Sequence, residues 1–236
     1  MQVIILAGGL GTRLKSISGG RPKAMMLVNG RPFIEYQLEK LAYIGLTNIV
    51  LCIGFGGEMI RDHVGDGARW GVNIQYSAED PTALLGTGGA LLNALPLIED
   101  VFLALYGDSY LPVDFIDLTN TFHKQKYPYL MSVFKNDGIW DSSNTRIEGD
   151  QVTFYNKKAA PGEADYIDYG LSVMKKDILL RYKDEPMPLD MARVQAELVA
   201  SSEMGAYVVT ERFYEIGKPE GLFEFEEWIR DKVHPP

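Results

Sequence analysis

Apolar residues fall along the chain in two patterns, short unbroken runs and longer stretches with helical spacing. Residues 3–7, 48–53 and 101–106 are apolar almost throughout, as expected of strands covered on both faces. Residues 73–76 predict one more strand. Between them, Phe33, Ile34, Gln37, Leu38, Leu41 and Ile44 recur at helical spacing, and Gly45 supplies a stop. Residues 57–64 predict a short helix, and residues 89–95 another, closed by Pro96. Strands alternating with helices predict an α/β core with a parallel sheet. Ligand crevices in such sheets open beyond the carboxyl ends of the strands.

The second half is more mixed. Residues 114–124, 177–181, 189–198 and 221–230 predict helices. Residues 129–134, 169–174 and 207–209 predict strands, and Ile147, Val152 and Phe154 flank the turn Glu148-Gly149-Asp150 as a hairpin would. Residues 8–21 are too rich in glycine for a regular element, and residues 137–144 read as a polar surface loop carrying Trp140. With no repeat and no linker, residues 1–236 read as a single domain.

Composition narrows the function. Lys plus Arg number 23 against 32 Asp plus Glu, a net charge of −9, which excludes general nucleic-acid binding. A local basic pocket for one phosphate ligand stays compatible with that charge. The single Cys52 excludes an internal disulfide and an all-cysteine metal site. His63, His123 and His234 have no metal-ligand spacing. No apolar run approaches a membrane span or a secretory signal, so a cytoplasmic protein without a membrane partner is expected.

The chemistry-bearing residues sit at predicted strand ends. Leu6-Ala7-Gly8-Gly9-Leu10-Gly11-Thr12-Arg13-Leu14 follows the first strand. Its glycines let successive N–H groups approach an anion, and Arg13 adds donors suited to phosphate oxygens. Arg21-Pro22-Lys23 brings more positive charge. The loop lacks the third glycine of a dinucleotide fingerprint, which argues against an oxidoreductase, and no P-loop is present. Asp108 follows an apolar strand and one glycine, where a carboxylate is placed for a divalent metal bridging phosphates. Taken singly, each feature also fits a structural turn. Met25, Met26, Trp70, Trp228 and Cys52 read as packing residues.

Taken in order, the motifs resemble those of the sugar-1-phosphate nucleotidyltransferases. The resemblance rests on the first glycine loop, Arg21-Pro22-Lys23-Ala24-Met25, Pro32-Phe33-Ile34, Leu85-Gly86-Thr87-Gly88-Gly89-Ala90, Tyr106-Gly107-Asp108-Ser109, Asn156-Lys157 and Tyr214-Glu215-Ile216-Gly217-Lys218-Pro219-Glu220. It implies a doubly wound, Rossmann-like fold with a mixed, mainly parallel sheet and a small sugar-binding lobe. It implies a nucleotide-binding part over roughly residues 1–110 and a part over roughly 111–236 that binds sugar phosphate and completes the metal site. The implied reaction joins an NTP to a sugar 1-phosphate and releases pyrophosphate. By position, Leu6, Ala7, Gly8, Gly9, Gly11, Thr12, Arg13, Lys23 and Gly88 would bind the nucleotide, with Arg13 and Lys23 catalytic. Asp108 and Glu215 would hold Mg²⁺. Asn156, Lys157, Asp168 and Gly170 would bind the sugar phosphate.

Two positions depart from the family pattern. Glu215 stands where Asp is common, and Asn156 where Glu is common. The segment from Ser77-Ala78-Glu79-Asp80 to Gly89 resembles the guanylyltransferases acting on D-glycero-D-manno-heptose 1-phosphate or mannose 1-phosphate. A uridylyltransferase acting on glucose 1-phosphate or an amino-sugar 1-phosphate stays open, as does a non-catalytic sugar-nucleotide-binding regulator. An isologous homodimer is the expected assembly.

Overall fold

A computed structural model describes residues 1–233. His234 therefore lies outside the described residues. The chain divides into two compact units. The first comprises residues 1–84, 105–110 and 213 onward; the second comprises residues 85–104 and 111–212. No helix of the described residues is long and apolar enough to cross a membrane.

The chain opens with β1 (Gln2–Leu6), a one-turn helix α1 (Lys15–Ser18), the short pair β2 (Leu27–Val28) and β3 (Arg31–Pro32), and α2 (Phe33–Tyr43). Next come β4 (Asn48–Ile53), α3 (Gly57–Val64) and β5 (Asn73–Ala78). Strands β1, β4 and β5 pair in parallel, with Val3 opposite Ile49 and Ile49 opposite Ile74. The apolar runs demand this arrangement, for Val3, Ile4, Ile5, Val50 and Leu51 are fully buried. Residues 8–21 are not wholly irregular. A 3-10 turn, Thr12–Leu14, leads into α1, which ends at left-handed Gly19. The glycines sit outside these turns, so their richness did not forbid them.

The second unit contains α4 (Gly86–Asn93) and the start of β6 (Val101–Tyr106). The chain then returns to the first unit through β6's last residues and β7 (Ser109–Tyr110). It continues in the second unit with α5 (Phe115–Lys124), β8 (Tyr129–Lys135), β9 (Thr145–Glu148), β10 (Gln151–Tyr155), β11 (Tyr166–Lys175), α6 (Lys176–Leu180), α7 (Met191–Ala200) and β12 (Met204–Val209). Asp114 caps α5 by accepting from the N–H groups of Ile116 and Asp117. Strand β12 runs parallel to β8, whereas β11–β8, β10–β12, β10–β9 and β11–β9 are antiparallel. The fold is thus α/β with a mixed sheet, its parallel pairing concentrated in the first unit.

The last two elements, β13 (Tyr214–Glu215) and α8 (Pro219–Val233), belong to the first unit. Phe225 of α8 is fully buried against Phe33 and Tyr36, with ring centroids 5.3 and 5.6 Å away. Burial of one such ring contributes about 1.5–3 kcal/mol. Trp228 stacks on Tyr214 at 4.6 Å, in keeping with its expected packing role. This aromatic cluster fixes β13, and with it Glu215.

Candidate active site

In the first unit the glycine loop starts where β1 ends. Ala7 donates to Cys52 O at 2.8 Å, and Gly8 O accepts from Phe55 at 3.1 Å. A Cβ on Gly8 would lie 2.5 Å from Glu79 Oε1, so the loop runs directly over that carboxylate. Burial, then the charge of Glu79, pushes the Cys52 thiol up to about 12, which leaves it an inert core residue. Gly11 has φ +59°, and a Cβ there would lie 3.2 Å from Lys23 Cγ. The loop therefore packs on the stem of Lys23. Gly9, Thr12 and Arg13 are exposed, and Leu6 is half-buried. Met25 and Met26 fill core space behind Lys23, as expected.

Asp108 is held by backbone on both sides. Gly107 donates to Leu6 O at 2.9 Å, and Ile216 donates to Asp108 O at 2.9 Å. Strand β7 pairs antiparallel with β13, placing Ser109 opposite Glu215. Two carboxylates far apart in sequence thus become neighbours in space. Lys23 Nζ donates to Asp108 Oδ2 at 2.5 Å, and Arg13 Nη2 lies 3.6 Å from Glu215 Oε1. A Cβ on Gly217 would lie 2.1 Å from Glu215 Oε1 and 3.4 Å from Lys23 Nζ. Arg13, Lys23, Asp108 and Glu215 thus form two ion pairs lying side by side, with Gly217 against both.

Among the described residues, no group of three or more His, Cys, Asp or Glu is arranged to hold a metal. A pair of carboxylates nevertheless suits a hard cation that takes its other oxygens from substrate phosphates and water. Each carboxylate already has a side-chain cation beside it, so both positions accept positive charge.

The second unit carries the other expected residues. Gly86, Gly88 and Gly89 form the first turn of α4, rather than a loop before it. Their role within the fold is close approach. Gly88 and Gly89 donate to Leu189 O at 2.9 and 3.1 Å, and a Cβ on Gly88 would lie 2.9 Å from Leu189 Cγ. Lys157 follows β10 in a turn built by Asn156, whose Oδ1 accepts from Lys158 N–H at 2.9 Å. That oxygen is committed to the turn. Lys157 Nζ donates to Asp190 Oδ2 at 2.9 Å. Burial would raise the Asp190 carboxyl, but hydrogen bonds from Lys157, Ala192 and Thr87 outweigh it and hold it below its ordinary value.

Asp168 lies half-buried on β11, where the pairing with β8 shifts register. Its Oδ1 accepts from Gly170 N–H at 3.0 Å and its Oδ2 from Gln195 Nε2 at 3.3 Å. Gly170 turns at φ +84° to make that bond. Gln195 also donates to Tyr129 Oη at 3.1 Å, and Tyr129 donates to Ser172 Oγ at 2.7 Å. Burial pushes the Asp168 carboxyl up, and its hydrogen bonds and the charge of Lys157 only partly reverse this. Asp190 and Gln195 were not singled out from the sequence because both fall within the expected helix over 189–198, whereas the helix begins at Met191 with Asp190 as its cap; Thr87 appeared there only as part of the second glycine motif. Trp140 is exposed in its loop, with the Arg212 guanidinium 3.6 Å above its ring.

Comparison with known proteins accords with this geometry. A D-glycero-alpha-D-manno-heptose 1-phosphate guanylyltransferase of Campylobacter jejuni is 29% identical over 225 residues, covering 95% of this chain and 98% of that protein. An N-acetylmuramate alpha-1-phosphate uridylyltransferase of Neisseria meningitidis is 40% identical over 116 residues, 49% of this chain and 50% of the relative. The crystal structure of HddC from Yersinia pseudotuberculosis superimposes with a TM-score of 0.81 at 27% identity, over 97% of this chain and 99% of that one. The family model for nucleotidyl transferases matches residues 2–231, from the first strand to the last helix, and the chain belongs to that family.

Proposed function

We propose that this nucleotidyltransferase uses GTP and a sugar 1-phosphate, either D-glycero-D-manno-heptose 1-phosphate or mannose 1-phosphate. The observation that carries the transfer chemistry is the cluster of Arg13, Lys23, Asp108 and Glu215 beside the glycine loop. What supports the substrates is the near full-length likeness to the Campylobacter and Yersinia proteins.

In this reading the backbone of Leu6, Ala7, Gly8, Gly9, Gly11 and Thr12 receives the nucleotide, with Arg13 and Lys23 on its phosphates and Gly88 near its base. Lys157 receives the sugar phosphate, while Asn156, Asp168 and Gly170 meet sugar hydroxyls. A sugar-phosphate oxygen bonds to the α-phosphorus as the bond from that phosphorus to the pyrophosphate oxygen breaks. The attacking oxygen is already ionised at neutral pH and needs no general base. Both reactants are anions, so Arg13, Lys23 and Lys157 lower the barrier chiefly by offsetting repulsion and by positioning. Family membership implies a divalent metal requirement. Asp108 and Glu215 would hold Mg²⁺, which when bound supplies further charge neutralisation between the phosphates.

A UTP-dependent enzyme acting on glucose 1-phosphate or an amino-sugar 1-phosphate is the second reading. It is favoured by the higher identity to the Neisseria uridylyltransferase over about half the chain. One assay decides: purified protein, Mg²⁺, four NTPs and a panel of sugar 1-phosphates, scored for pyrophosphate. Release with GTP and heptose or mannose 1-phosphate is expected. Release only with UTP or dTTP overturns the base, and none with any pair overturns the enzyme.

A further inference from the structure

We propose that Asp190 is a positioning residue that tethers Lys157 in its phosphate-receiving orientation and anchors it to the first turn of α4. The proposal rests on the reading of Lys157 given above. The Lys157 side chain is 62% exposed on a turn, and a flexible lysine loses considerable rotamer freedom when it is fixed on a ligand. An exposed ion pair contributes little to stability, so the contact is not explained by folding.

Asp190, unlike Lys157, is rigidly held. It is the N-cap of α7, and its Oδ1 accepts from Ala192 N–H at 3.0 Å and from Thr87 Oγ1 at 3.2 Å. Thr87 Oγ1 in turn accepts from Met191 N–H at 2.9 Å. The preceding residue, Leu189, donates to Leu85 O and accepts from Gly88 and Gly89. Two of these bonds hold the carboxylate itself and four more fasten its neighbours Leu189 and Met191 to residues 85–89, and its Oδ2 is directed to Lys157 at 2.9 Å. An ammonium has three donors, so the tether uses one and leaves two for phosphate oxygens. Ordering the lysine before substrate arrives removes a cost from binding.

Asp190→Asn isolates the tether from the cap. Its Oδ1 can still cap α7 and meet Thr87, but its Nδ2 then faces Lys157, donor against donor. The test uses the full chain and the sugar 1-phosphate that gives turnover in the pyrophosphate assay. KM for that substrate should rise about tenfold, the worth of one charge-assisted hydrogen bond, with kcat and the KM for the NTP within about twofold. In a Lys157→Ala background the same change should add nothing. An unchanged or lower KM for D190N overturns the tether, the latter because the carboxylate then merely competes with phosphate. Full additivity with K157A overturns it too. If K157A itself leaves that KM unaltered, the role of Lys157 falls, and the tether with it.

Discussion

Lys23 and Asp108, 85 positions apart in sequence, are joined by a 2.5 Å hydrogen bond, and each side chain is only 19% exposed. The pair sits beside the glycine loop and next to Glu215, so substitution of Asp108 should be felt in chemistry more than in folding. Asp108→Asn keeps an acceptor for Lys23 and removes the charge. Turnover should fall at least about 10²-fold, while the thermal midpoint moves little. Steady-state rates and a melting curve check this, and near-normal turnover would remove Asp108 from the machinery.

The close backbone approach at Gly221 gives a second prediction. A Cβ there would lie 2.0 Å from Glu215 O, a backbone atom that cannot rotate aside. Gly221→Ala should therefore shift α8 or β13, costing about 1–3 kcal/mol in urea unfolding. Because Glu215 sits on that strand, activity should fall further than the loss of folded protein explains. Wild-type stability in this variant would show that α8 yields without strain.

The core strands were legible because burial on both faces leaves continuous apolar runs, and 48–53 and 101–106 match the observed strands residue for residue, as 57–64 matches helix α3. The register that unites Asp108 with Glu215 was not legible. Strands β7 and β13 are two residues each, too short for any periodicity, and they pair across the sequence from 109 to 215. The turn of Asn156 and the burial of Asp168 were likewise hidden, since both depend on partners such as Asn144 and Gln195 brought in from other elements. Helix α4 begins at Gly86 because Leu189 O satisfies its first N–H groups, which glycine propensity alone argues against.

Asp168 should show a trade-off between stability and binding. Its carboxyl is raised by burial, so the folded state holds the proton more tightly than the unfolded chain. Ionisation then costs stability, and that cost grows as pH rises from the ordinary carboxylate value through the folded one. Asp168→Asn keeps an acceptor for Gly170 and cannot ionise. The new amide nitrogen takes the place of Oδ2 beside Gln195 Nε2, a cost that is the same at every pH, so the pH-dependent difference carries the test. Unfolding at pH 7 and pH 4 should show D168N gaining on wild type at the higher pH. If Asp168 meets a sugar hydroxyl, KM for the sugar phosphate should rise in the same variant.

Glu35 gives the opposite sign. Its side chain is 6% exposed, and its carboxylate accepts from Arg31 Nε and Nη2 at 3.0 and 2.9 Å and lies 2.8 Å from His63 Nε2. Burial alone would raise its carboxyl, but Arg31 and His63 outweigh that and hold it below the ordinary value of 4.5. A depressed folded value means stability that is present above pH 4.5 and lost as pH falls through the folded value. Glu35→Gln should cost about 1–3 kcal/mol at pH 7, because Arg31 and His63 lose their charged acceptor. The difference from wild type should hold from pH 7 down to about pH 4.5 and then shrink as urea melts are taken on toward pH 3. A gap that stays constant over that range would mean the carboxylate's charge contributes nothing and only its shape is needed.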